Sequence, residues 1–80
     1  MAGETMISPK KATECAIGFY RETTGTFPSM TLEEIELKGD YWYVTLGIPR
    51  TGGLVYDLKD YKLFKINAKT GNVESMTVKH

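Results

Sequence analysis

Apolar and polar residues alternate most cleanly between Ile35 and Ile48, where two strand-like runs flank Gly39 and Asp40. A two-residue connection with glycine first suits a type II′ turn. That turn sets Lys38 opposite Tyr41, Leu37 opposite Trp42, Ile35 opposite Val44 and Glu33 opposite Leu46. One face of the hairpin is then apolar, with Trp42 expected as the largest core side chain. The other face carries Glu34, Glu36 and Lys38 against Thr45, Tyr43 and Tyr41. A slip of one residue would turn Trp42, Val44 and Leu46 out to water, so pattern and turn chemistry specify one register.

Upstream the period changes from two to three and four. Ala12, Cys15, Ala16, Phe19 and Tyr20 form a single stripe, with Lys10, Lys11, Glu14, Arg21 and Glu22 largely off it. Ser8 supplies an N-cap hydroxyl, and Pro9 takes the first helical position, where its missing N–H costs nothing. Gly25 is placed to close the helix in the left-handed conformation. Residues 1–7 read as a short arm, with Met6 and Ile7 available to pack on the helix. Phe27 and Pro28 make an extended connection in which Phe27 is expected to cover one end of the core.

After Ile48, Pro49 cannot donate to a ladder and the glycines at 52 and 53 end the strand in a turn. The stretch from Leu54 to Asp60 fits a helical turn, a bulged strand start or an ordered loop held by Leu54, Val55 and Leu58. A second hairpin follows: Tyr61 to Ile66, a turn opened by Asn67 and closed by Gly71, then Asn72 to Val78. Its implied register pairs Ile66 with Val73, Phe64 with Ser75, Leu63 with Met76 and Tyr61 with Val78. Phe64, Ile66 and Val73 then face the helix, and Tyr61, Leu63, Met76 and Val78 face away from it. One helix and four strands pack most economically as an α+β two-layer sandwich, with the N-terminal helix packed on a four-stranded antiparallel meander sheet. The domain reading is an arm over 1–7 and a single α+β domain over 8–80.

The helix spacing Ala12, Ala16, Phe19, the aromatic strand Trp42 to Val44, and the hairpin from Tyr61 to Val73 with Asn67 opening its turn and Thr70-Gly71 closing it carry a resemblance. Over about residues 8–78 the chain resembles the PepSY-like domains, small modules named from peptidase propeptides. The resemblance implies a helix-plus-sheet fold and a role in inhibiting or regulating peptidases through protein contacts.

Ten basic and ten acidic side chains cancel, so no global field draws in nucleic acid or an anionic membrane. No apolar run approaches the roughly eighteen residues of a membrane span. The first residues have neither the basic start nor the apolar stretch of a signal peptide, and Cys15 is the only cysteine, so a cytoplasmic protein is expected. Candidate chemistry is sparse. Cys15 sits on the apolar stripe and reads as a small buried thiol, and His80 has no ligand-spaced companions. Gly52-Gly53 lacks the remaining features of a phosphate loop. Glu33, Glu34 and Glu36 read as a solvated strand face rather than an acid–base pair. No catalytic residue, metal site or cofactor is expected.

The tyrosines offer more. Tyr41, Tyr43, Tyr61, Leu63, Met76 and Val78, placed together on the face away from the helix, make a contact surface rich in residues that favour interface cores. The expectation is a non-enzymatic interaction or regulatory module that docks a protein partner or self-associates through this face. The rival is a small-molecule binder or enzyme using a pocket between helix and sheet, near Phe27 and residues 54–56.

Overall fold

The computed structural model describes residues 6–49 and 59–79; the readings for residues 1–5, 50–58 and His80 lie outside these. One helix, α1 (Pro9–Thr24), precedes four strands, β1 (Thr31–Lys38), β2 (Tyr41–Pro49), β3 (Lys59–Asn67) and β4 (Val73–Val78). The strands form one antiparallel sheet in the order β1-β2-β3-β4, and α1 packs on one face, chiefly over β2, β3 and β4. This is the expected α+β two-layer meander. No described helix is long and apolar enough to cross a membrane.

Local chemistry sets the helix ends. The Ser8 hydroxyl accepts from the Lys11 amide at 3.1 Å, and Gly25, at φ 74°, donates its N–H to the Arg21 carbonyl. Ala12 and Ala16 are fully buried, so the helix sits close on Val44, Leu46, Phe64 and Ile66 of the two central strands. Ile7 ties the chain entry to the sheet, its N–H donating to the Ala68 carbonyl at 2.7 Å and its carbonyl accepting from Trp42 Nε1 at 3.0 Å. That bond places Trp42 at the flank. It is half-buried, and Phe64, not Trp42, is the largest fully buried side chain. Phe27 does not cover the core either: it is 75% exposed, and the Arg21 guanidinium lies over its ring.

Both turns form as their residues dictate. Gly39 has φ 60° and Gly71 φ 81°. The Asn67 carboxamide accepts from the amides of Lys69 and Thr70, and the Asn67 carbonyl accepts from Gly71. The registers begin as expected, Lys38 with Tyr41, Leu37 with Trp42, Ile35 with Val44, and Ile66 with Val73. Each hairpin then departs from uniform pairing at an extra residue in its edge strand. Glu33 is extra in β1, so Leu32 rather than Glu33 stands opposite Leu46. Glu74 is extra in β4, so Phe64 meets Met76, Leu63 meets Thr77, and Val78 stands opposite Lys62.

The second bulge overturns part of the expected contact surface. Met76 and Val78 are on the helix side of the sheet, not the outer side, and Met76 packs against the buried cluster. The physical reason is the same in both strands. Unbulged pairing would put Glu33 on the helix side of β1 beside buried Leu46 and Met76 on the open face of β4, and one inserted residue reverses the alternation beyond it.

Candidate interaction surface on the open sheet face

With Met76 and Val78 removed to the other side, the outer face is built from Glu34, Glu36 and Lys38 of β1, Tyr41, Tyr43, Thr45 and Gly47 of β2, Tyr61, Leu63 and Lys65 of β3, and Ser75 and Thr77 of β4. The β2–β3 register, Tyr43 with Lys65 and Thr45 with Leu63, makes Tyr43 and Leu63 diagonal neighbours, while Tyr41, opposite Asn67, and Tyr61, opposite Gly47, lie toward the two ends of the pairing. Of the six residues expected at the surface, Tyr41, Tyr43, Tyr61 and Leu63 therefore share this face.

Lysines overlie the rings. Lys65 Nζ lies 4.4 Å from the Tyr41 ring centroid and Lys38 Nζ 5.6 Å from that of Tyr43, within the range in which a cation is attracted to an aromatic face. Lys79, just past β4, reaches across the sheet: its Nζ is 2.6 Å from Glu34 Oε1 and 3.4 Å from Thr45 Oγ1, while its amide donates to the Tyr61 carbonyl. Thr45 is nearly fully buried although it lies on the open face.

Next to this tie, the extra residue Glu33 accepts from Thr31 Oγ1 at 2.6 Å and from Lys59 Nζ at 3.2 Å. Its carboxylate occupies the space above Gly47, where a Cβ would come within 2.5 Å of Glu33 Oε2. The Thr31 and Lys59 hydrogen bonds hold the Glu33 carboxyl below the ordinary value, and the Lys79 hydrogen bond and charge do the same for Glu34. Both groups are ionised at neutral pH. Between them the surface dips into a shallow cleft of about 360 Å³ bordered by Glu33, Glu34, Thr45, Tyr61 and Lys79.

The open face is thus a tyrosine-rich strip framed by paired charges rather than the more apolar surface expected. The sequence reading placed Lys38 on this face though not against a ring, and it gave Lys59, Lys65 and Lys79 no part in the surface. The β1–β2 register could have flagged Lys38 beside Tyr43, whereas the other three depend on the β2–β3 pairing, which no tight turn announces.

A second depression of about 310 Å³ lies between α1 and the β3–β4 turn, bordered by Cys15, Gly18, Phe19, Gly71, Asn72 and Val73 among others. Cys15 is half-buried there and makes no disulfide. The described residues contain no group of three or more His, Cys, Asp or Glu placed to hold a metal. Comparison with family models, with curated proteins and with solved structures gives no match to this chain.

Proposed function

We propose that this domain is a non-enzymatic interaction or regulatory module whose contact surface is the open sheet face, with Tyr41, Tyr43, Tyr61 and Leu63 at its centre. The observation that carries the reading is that three tyrosines and a leucine, with Tyr43 and Leu63 side by side and Tyr41 and Tyr61 flanking them, lie on the side of the sheet that the helix leaves uncovered. Tyrosine gives a large rigid contact area with a polar tip, and the flanking ion pairs form a polar rim of the kind found around interface cores. Lys38 and Lys65 can exchange their ring contacts for a partner's carboxylates, and Glu34 and Glu36 can receive its cations. This chemistry fits a protein partner of mixed charge better than nucleic acid, which would want lysine and arginine in excess of glutamate. The PepSY-like resemblance supports the same class and makes a peptidase a natural partner to try.

A double variant, Tyr43→Ala with Leu63→Lys, tests the reading by affinity capture from the source cell. Proteins retained by the wild type should be lost from the variant while circular dichroism shows an unchanged fold. Retention of the same proteins by both would place the contact surface elsewhere.

The depression beside Cys15 and Gly18 favours a second reading, a small-molecule binder using the space between helix and sheet. Its volume is at the lower end for ligand pockets, and it lies against the β3–β4 turn rather than near Phe27. Ligand-induced shifts confined to Gly18 and Gly71 amide resonances would support it.

A further inference from the structure

Residues 34–38 alternate a charge with an apolar side chain, and β1 carries both along a free edge. Among the described residues only β2 pairs with this strand, so its other side is an open row of backbone groups. The two-residue turn sets which groups those are. Lys38 and Tyr41 flank it and exchange ladder bonds, as do Glu36 with Tyr43 and Glu34 with Thr45. The residues between them, Ile35 and Leu37, turn their N–H and C=O away from β2.

We propose that this edge takes an antiparallel strand from another protein, with apolar side chains opposite Ile35 and Leu37 and basic ones opposite Glu34 and Glu36. The two outward residues offer about four backbone hydrogen bonds, and the side chains that alternate between them supply the selectivity. On the helix side β1 is bare, because α1 lies chiefly over β2, β3 and β4. Leu37 is 42% exposed and Ile35 half-buried, and an added strand sets its apolar side chains beside both. On the open side the Glu34 and Glu36 side chains are more than half exposed, each beside one lysine ammonium. A carboxylate has lone pairs for a second cation.

The same features exclude other occupants. The bulge at Glu33 ends the regular stretch on one side and the Gly39 turn ends it on the other, so only a short strand fits. The carboxylates give a neutral strand no partner for its charge and an acidic one a repulsion. A second copy of β1 fits poorly, since antiparallel pairing over residues 34–38 sets Glu36 against its own image. The other edge, β4, offers less: past its bulge only Ser75 to Val78 pair regularly, without a charge among them, and Met76 is already packed.

The probe is the acetylated, amidated peptide Thr-Val-Lys-Val-Lys, read by amide hydrogen exchange of the full chain. At about 1 mM peptide, exchange at Ile35 and Leu37 should slow about tenfold, as a dissociation constant of about 0.1 mM requires. The peptide Thr-Val-Glu-Val-Glu should give no protection. Glu36→Lys, at an exposed side chain, should weaken the basic peptide about tenfold while circular dichroism shows an unchanged fold. Leu63→Lys, on the open face, should bind it as the wild type does. Unchanged exchange at Ile35 and Leu37 would overturn the proposal, as would equal protection by the two peptides. Protection that appears without peptide and grows with protein concentration would give the edge to a second copy instead. Binding lost in Leu63→Lys but kept in Glu36→Lys would move the peptide to the open face and leave the proposed function standing.

Discussion

Gly71 shows how much one residue carries when the backbone leaves it no alternative. At φ 81° a β-branched side chain is strained, and Gly71→Val should destabilise the domain by about 1–3 kcal/mol. A Cβ there would stand 3.4 Å from Cys15 Sγ, so the cost is mainly conformational rather than steric. An unchanged urea midpoint would remove the left-handed assignment. The aromatic residues divide by burial. Phe64, fully buried and edge-on to Phe19, should cost about 3–5 kcal/mol when replaced by alanine. Trp42→Phe keeps most of the half-buried surface and removes the hydrogen bond to Ile7, so about 1 kcal/mol is expected. If the same denaturation series ranked these two variants in the opposite order, the core would be centred on the flank.

The edge strands β1 and β4 each contain one extra glutamate, and both insertions put the apolar residues beyond them on the helix side of the sheet. Bulges also twist an edge away from further strand pairing. The β4 bulge has a sharp consequence for adjacent residues. Met76→Glu puts a carboxylate against Phe64 on the packed side and should cost about 1–3 kcal/mol, whereas Thr77→Glu, on the open face, should stay within about 0.5 kcal/mol of wild type. Uniform pairing would invert the two results, so thermal or urea unfolding of this pair tests the register directly. Turn residues could not reveal the bulge. Asn67 and Gly71 fix where the chain reverses and pair Ile66 with Val73, but the extra residue lies one step beyond, where only the gain from burying Met76 selects it.

For the whole molecule, the charges on the open face link strands distant in sequence. Glu34 and Lys79 join the first strand to the end of the last, and Glu33 and Lys59 join β1 to β3. Both carboxyls are held below their ordinary 4.5 in the folded chain. A depressed folded value means that the stabilisation is present above the unfolded value and is lost as pH falls through the folded one. The ties should therefore act at pH 7 and fade as the solution is acidified below 4.5. Replacing Lys59 and Lys79 together by methionine should lower the melting temperature at pH 7, and the gap to wild type should close in acid. Such pairs are exposed and screened by salt, so the same gap should narrow at high ionic strength.

Sequence by itself determined the helix with both caps, the two turns and the first pairs of each hairpin, because each follows from contacts within a few residues, and the meander order followed from the economy of packing one helix on two hairpins. It also gathered Tyr41 and Tyr43 on one side of β2, since alternation along a strand is local. Tertiary structure decided what depends on competition between distant surfaces. The bulge at Glu74 answers to the buried cluster that Met76 joins, and the bulge at Glu33 to Thr31 and Lys59, which hold its carboxylate over Gly47, so Leu32 stands beside Leu46 and Met76 and Val78 lie on the helix side. Trp42 moved to the flank because Ile7 offered its indole a carbonyl there. Lys65 reached Tyr41 and Lys79 reached Glu34 only through the β2–β3 pairing, which no turn residue encodes. The bare side of β1 has the same origin, a four-stranded sheet wider than the single helix that covers it.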